Sequence, residues 1–477
     1  MPEKRSLSKP SLSKPSLSKR SLSIGQEALW FLYRMAPDSP AYNVQAALRV
    51  RGALDEARLR RALRAVVERH DVLRSTFTET AAGPQRLIGL PDLVPLQVRE
   101  VPGVTDAGEL EKHVKAFGDT PFDLTDEGTC RALLLRVADD DHVIVVSAHH
   151  IVTDATSQWL LLQDLLDAYA TDTAPPPLAR GYDDYVRGEQ ELLGGPRREQ
   201  LVTFWEEFCA DTAAAELPSD RPRTPRPPAV FNGATCEARI PDALVPRLRE
   251  AAKRAGVTPF ALTLGVFQAL VHRYSGRRDF LVGCPTTTRS GPGMREVVGY
   301  LVNTLVLPAH FTDTTTFGQA AHTAQRQVMR AMKHIGYPYA LLAGEEPYSS
   351  RNPPVRMVFT MVAPGRLEPL LMRVTEAAAR GTDTEYAGLR IELIDVPQLE
   401  GQFDLNVEMR QSATSLTAVF RYATDLFDEA TVRRLLDSYV RLLTEAVDDP
   451  DAPVAGAALV TAGDLDDLLA LGEATDW

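Results

Sequence analysis

A chain of 477 residues, 44% hydrophobic and 24% charged, is long enough for two domains of roughly 200 residues, because single cores seldom grow beyond about 250–300. Its formal net charge of −12 argues against a nucleic-acid-binding surface. No run approaches the ~18 apolar residues of a membrane helix and the N-terminus lacks the apolar core of a signal peptide, so a cytoplasmic, monomeric protein away from membranes is expected.

The chain opens on a repeat, SLSKP at Ser6 and Ser11 and SLSKR at Ser16. It carries too few large apolar side chains to offset the entropy of ordering, which predicts a disordered tail over 1–20. Its evenly spaced lysines, Lys9, Lys14 and Lys19, would serve as a docking segment only for an acidic partner. Folded structure is expected from Ser21. Leu29, Trp30, Leu32 and Tyr33 recur at helical spacing, Tyr42 to Val50 reads as a strand, and Leu54 to His70 is a helix with Leu59, Leu63, Val66 and Val67 on one face. Arg69, His70 and Arg74 form the polar end of that helix and are read as structural supports. Two β-type runs follow, Leu133 to Val137 and His142 to Ala148, divided by the turn Ala138 to Asp141. Helical periodicity returns after Thr156. The expected divisions are a first lobe over 21–178, a connector rich in proline and charge over 179–227, and a second lobe over 228–477. That second lobe has a helix near Val257 to Tyr274, strands at Phe280, Tyr300, Val355 and Phe403, a long helix through Met332 and a closing helix from Glu429 to Val447. The four cysteines, Cys130, Cys209, Cys236 and Cys284, have no CxxC spacing, so free thiols and no zinc site are expected.

The chemistry concentrates in SAHHIVTDATS, Ser147 to Ser157, between the buried-type run VIVV and a helix. A histidine on a strand-to-helix loop is held by rigid elements, faces a cleft, and exchanges a proton near neutral pH, which is the position of a general base. Only one of His149 and His150 can reach a given substrate, because neighbouring residues in extended chain point to opposite sides. For the same reason the pair makes a poor metal site. Asp154, at the start of the helix, is placed to cap free amides or to pair with a buried arginine, and so to fix the loop.

AHHIVTDATS resembles the HHxxxDG signature of the condensation domains of nonribosomal peptide synthetases, which is shared more loosely with chloramphenicol acetyltransferase. The likeness runs in order through SIGQEALWFL at Ser23, RHDVLRSTF at Arg69, PFDL at Pro121, YDDY at Tyr182, VGYLVNT at Val298, HIGYPYALL at His334 and SRNPPVRMVF at Ser350. One departure stands out: the glycine after the motif aspartate is Ala155 here, which excludes backbone conformations that only glycine adopts cheaply. Epimerization domains share the loop, but RHDVLRSTF and SRNPPV suit condensation better. Cyclization domains carry aspartate in place of the histidines.

The resemblance implies an α/β fold of two chloramphenicol-acetyltransferase-like lobes, a V-shaped pseudodimer with an active-site tunnel between them. It also implies a reaction in which an acyl or peptidyl group passes from one carrier protein's phosphopantetheine arm to an amine on another, with no cofactor bound by this chain itself. In that reading the reacting centre comprises His150 as the group that orients or deprotonates the amine, His149 packed within the loop, Asp154 holding it, and the amide of Ala155 at the helix N-terminus facing the developing oxyanion. Arg289 is the candidate partner of Asp154, and Asn303, Thr304 and Ser157 are expected to line the substrate path. Donor and acceptor peptidyl carrier proteins are the implied partners. A downstream adenylation domain is another, suggested by LGEATDW at the end of the sequence, while Met1 suggests a donor supplied from another polypeptide. The alternatives are an ester-forming enzyme, a CoA-dependent acyltransferase and a module that recruits carriers without catalysis.

Overall fold

In the computed structural model, which describes residues 18–104, 106–223, 232–342, 355–363, 369–396 and 403–459, the VIVV run lies in the strand Asp141–His149 at the heart of a six-stranded sheet. The tail up to residue 17, the SRNPP stretch and the closing LGEATDW lie outside the described residues. Every residue of Asp141–His149 is buried, because the strand is covered on both faces. Ile144, Val146 and Ala148 join one core with the helices Glu56–Arg69 and Ala155–Thr171, while Val143 and Val145 join another with Leu110, Val114 and Phe117 of the helix Ala107–Gly118. A strand buried on both faces reads as a continuous apolar run rather than an alternation. It pairs antiparallel with Asn43–Arg51 on one side and with Cys130–Ala138 on the other, and the buried ion pair Arg49–Asp141, at 2.6 Å, ties its beginning to the neighbouring strand.

The second lobe is built on another six-stranded sheet, in the order Val302–His310, Asp279–Thr287, Met357–Val362, Leu405–Gln411, Leu416–Ala423 and Gly233–Arg239. Its central helix, Pro259–Ser275, is buried at every position from Ala261 to Val271, as expected for a helix apolar all round. Packed beside it are the helices Phe317–Met332 and Glu429–Asp448. Together these elements make the α/β, two-lobe architecture that the sequence led us to expect.

The division of the chain between the lobes differs from the expected one in three places. Residues 18–20 form a strand paired with Gly83–Ile88 in a three-stranded sheet, and Arg20 pairs with Asp183 at 2.5 Å, so residues 18–20 of the expected tail belong to the fold. The segment 179–227 is divided between the lobes: Tyr182 and Val186 of the helix Tyr182–Gly194 belong to the first core, and Leu201, Trp205 and Phe208 of the helix Arg197–Phe208 to the second. Finally, the span after residue 228 crosses back twice. Met294, Val297, Val298 and Leu301 pack into the first core, and the strands Thr384–Tyr386 and Leu389–Ile394 extend the first sheet beyond Asn43–Arg51, covered by the helix Pro369–Ala379. Short β-type segments pair wherever a sheet edge is open, and sequence order does not reveal which edge.

Gly265 lies in the middle of Pro259–Ser275 where that helix meets Phe317–Met332, and a Cβ there would sit 2.8 Å from the backbone nitrogen of Ala321. Alanine is the better helix former by ~1 kcal/mol, yet overpacking against rigid backbone costs about 1–3 kcal/mol. Gly265→Ala is therefore expected to lower the melting temperature; thermal unfolding followed by circular dichroism checks this, and an unchanged or raised midpoint would contradict it.

Candidate active site

The strand Asp141–His149 ends where His149 stands opposite Asn43. The chain then makes one tight 3-10 turn over His150–Val152, extends through Thr153, and enters the helix Ala155–Thr171 with Asp154 as its N-cap. The two histidines point apart. His149 is 3% exposed, accepts a hydrogen bond from the Ile151 amide through Nδ1 at 3.2 Å, and lies between the rings of Tyr33 and Tyr42. Burial, with a smaller contribution from neighbouring His150, pushes its pKa down to about 3, so its ring stays neutral at physiological pH.

His150 lines a cavity of about 1580 Å³ bounded by residues of both lobes. Its backbone amide donates to Tyr42 O at 2.7 Å, and its ring meets the Tyr300 ring edge-on at 5.2 Å between centroids. Nδ1 lies 2.7 Å from the carbonyl oxygen of Thr153. A carbonyl can only accept, so Nδ1 carries the proton and, in the neutral ring, the lone pair is on Nε2. The loop that presents the ring also fixes its tautomer.

Asp154 holds that loop. Its carboxylate accepts four hydrogen bonds, two on each oxygen: Ser157 N at 2.8 Å and Arg289 Nη2 at 2.8 Å on Oδ1, and Arg289 Nη1 at 2.7 Å and Leu301 N at 3.0 Å on Oδ2. Burial opposes ionisation, but the Arg289 guanidinium and the bonds from Ser157 outweigh it and hold the carboxyl below the usual carboxylate range. Both side chains are almost fully buried, at 6% and 5% exposure. Arg289 and Leu301 come from the second half of the chain, so helix cap and cross-chain ion pair are one carboxylate. With four donors already on it, Asp154 positions the loop and offers no free lone pair toward the cavity. Ala155 is the first residue of the helix and is exposed, and an amide at that position has no partner within its own helix.

Ser157 and Asn303, expected along the substrate path, are committed elsewhere. Ser157 is fully buried; its hydroxyl donates to Gly299 O at 3.0 Å and accepts from Gly299 N at 3.0 Å and Arg289 Nη2 at 2.6 Å. One proton and two lone pairs are thereby used in full. Asn303 borders the cavity, but its amide donates to Ile335 O and Tyr337 O and accepts from Thr304 N and Tyr339 N, all within 3.0 Å, which fastens the 335–339 segment to the strand Val302–His310. Thr304 lines the cavity. Arg69 bridges Asp164 at 2.5 Å and Glu296 at 2.6 Å, with His70 on the same Asp164 at 2.7 Å, and Arg74 donates to Gly89 O at 2.6 Å. They brace helix and loop away from the cavity. Sequence reasoning passed over Gln26, which donates to Ile151 O at 2.8 Å, and took Tyr182 for an aromatic anchor of the connector without foreseeing that its hydroxyl meets Ser23 and Tyr300 O. Both lie inside recognised motifs, and a capping pattern SxxQ at Ser23–Gln26 was the available signal for the first. Among the described residues no group of three or more His, Cys, Asp and Glu is placed to hold a metal ion.

The family model described as "Condensation domain" matches residues 18–469. Phosphinothricin tripeptide synthetase PhsC of Streptomyces viridochromogenes is 31% identical over 92% of this chain and 40% of its own length, and malpibaldin synthetase of Mortierella alpina is 29% identical over 90% and 8%. The chain thus spans less than half the length of these relatives. Among solved structures, the condensation domain of the monacolin K polyketide synthase MokA superposes with a TM-score of 0.80 at 21% identity, covering 92% of this chain and all of that one. The X-domain in complex with OxyB from teicoplanin biosynthesis gives 0.79 at 25% identity, covering 96% and 100%. With a match that leaves out only the two ends, and with the histidine loop, its aspartate anchor and both lobes in place, the chain belongs to the condensation-domain family of nonribosomal peptide synthetases.

Proposed function

We propose that this domain transfers an acyl or peptidyl group from a donor carrier thioester to the amine of a carrier-bound or free acceptor, forming an amide. The single observation that carries the reading is the bond from His150 Nδ1 to Thr153 O, which leaves the basic Nε2 of a cavity-lining ring to meet the amine. As the amine nitrogen attacks the thioester carbonyl, its proton passes to Nε2. Collapse of the tetrahedral intermediate breaks the C–S bond, and the proton goes to the departing thiolate, so that amide and free phosphopantetheine thiol result. The Ala155 amide, at the positive end of a helix 17 residues long, is the donor assigned to the oxyanion. Phosphopantetheine arms of donor and acceptor carrier proteins would bring the two groups to the cavity, and holding them there converts a bimolecular encounter into a positioned one. This chemistry sets the domain to work beside carrier and adenylation domains in the cytoplasm. Among the described residues no single helix is long and apolar enough to cross a membrane.

Incubation with loaded donor and acceptor carriers, followed by mass spectrometry of the acceptor, tests this directly. Product with CoA thioesters but not with carriers would favour the CoA-dependent alternative, and carrier binding without transfer would favour a recruiting module. His150→Ala is expected to lower the transfer rate by about two to four orders of magnitude, the usual contribution of a positioned acid–base group, with the melting temperature unchanged. Turnover near that of the parent would remove His150 from the chemistry.

Asp154→Ala is expected to lower both activity and stability, because it strands Arg289 among buried groups at a cost of about 3–5 kcal/mol. Asp154→Asn, which keeps an acceptor for Ser157 N, should be milder in stability yet still lose the ion pair. Loss of transfer at an unchanged melting temperature in both variants would point instead to a direct part for the carboxylate.

A further inference from the structure

The helix Tyr182–Gly194 runs along the cavity, and Tyr185, Gly188, Glu189 and Leu192, spaced to share one helical face, all border it. Glu189 is only 8% exposed. Its carboxylate accepts from the Ile24 amide at 2.7 Å and, more weakly, from the Tyr185 hydroxyl at 3.4 Å. Neither donor carries a formal charge, although Ile24 opens its helix and so brings that helix's positive end to the carboxylate. Among the described residues, the charged neighbour acting on it is a second carboxylate, Glu27, and burial above all pushes the Glu189 carboxyl up to about 7. A buried anion without a counter-charge is costly, and an acceptor for the Ile24 amide alone would be supplied as well by a neutral glutamine.

Beside it, Gly188 occupies a helix interior, where glycine costs roughly 1 kcal/mol against alanine. Nothing lies within 4 Å of where its Cβ would be, so the helix leaves room on the cavity side next to the carboxylate. The helix Ile24–Met35, bonded to Glu189 through its first residue, contributes Leu32, the 44%-exposed Phe31 and the 49%-exposed Met35 to the same cavity. Room, an apolar lining in the same cavity and a buried carboxylate with no formal cation beside it among the described residues match an alkyl stem that ends in a cation.

We propose that Glu189 is a specificity residue that receives the cationic side chain of a lysine-like aminoacyl group brought into this cavity. The inference rests on reading the cavity as the meeting place of two aminoacyl thioesters. Its test needs no turnover. Non-hydrolysable lysyl- and norleucyl-pantetheine amides, alike in stem and different in charge, are titrated into the parent protein and into Glu189→Gln by calorimetry. The parent should favour the lysyl ligand by about 10- to 100-fold, the range of a desolvated charge pair, and Glu189→Gln should abolish that preference while retaining the Ile24 bond and the melting temperature. Equal binding of both ligands by the parent, or a preference that survives the substitution, overturns the proposal, and the first of these needs no variant at all. The same lysyl and norleucyl groups, presented as thioesters in donor and acceptor positions, then report which arm enters on this side. Selective, Glu189-dependent binding without product would refute the proposed catalysis and leave this inference standing.

Discussion

The carboxylate of Asp154 joins the two halves of this chain at atomic distance beside the histidine turn. It caps the helix that follows the histidine turn, and it receives both terminal nitrogens of Arg289 and the amide of Leu301 from the opposite half. A carboxylate offers about four acceptor directions, and each is used. Any shift between the halves at this point must stretch a bidentate, charge-assisted pair that is almost fully buried, where such pairs are strongest and where a lone partner is most costly. The position of His150 depends on this constraint, because its ring is aimed by a turn only three residues long that ends at the same carboxylate.

Around that anchor the polar groups divide into those with spare valence and those without. Ser157, Asn303 and Asp154 have spent every lone pair and proton on protein partners, so they contribute geometry. His150 keeps Nε2, and Ala155 keeps an amide that its helix cannot use. A small number of unspent groups held by fully spent ones is the arrangement that positions a reaction without competing for its substrate.

The same division explains how much could be read from the sequence. The histidine turn and its aspartate were legible because an N-cap is local: a carboxylate at the head of an apolar helix has few other uses, and the apolar run before it announces a buried strand. The Asp154–Arg289 pair was legible as a candidate because a buried carboxylate needs a cation. Ser157 was misassigned, and Asn303 lines the cavity with no bonding capacity left for a substrate, because polarity near a motif says nothing about valence, which three-dimensional partners consume. Assigning all of 228–477 to the second lobe failed for a related reason. Nothing local to Leu389–Ile394 distinguishes an edge on the second lobe's sheet, at Val302–His310 or Gly233–Arg239, from the edge at Val50 with which it pairs. The fold of two lobes was visible as a resemblance. Their interlocking was not.

That interlocking has a consequence for synthesis. The strand Asn43–Arg51 acquires its second neighbour only when Leu389–Ile394 has been made, and the helix that covers this edge, Pro369–Ala379, comes just before it. At ~5–20 residues per second, the first sheet stands with an unpaired rim for tens of seconds while the second lobe is being assembled around its own helices. Ribosome-bound chains of this length therefore expose a template for wrong pairing, and Arg51 at the end of that rim strand, its side chain still one-third exposed in the folded protein, is a charge that would discourage a stranger from docking there before the native partner arrives.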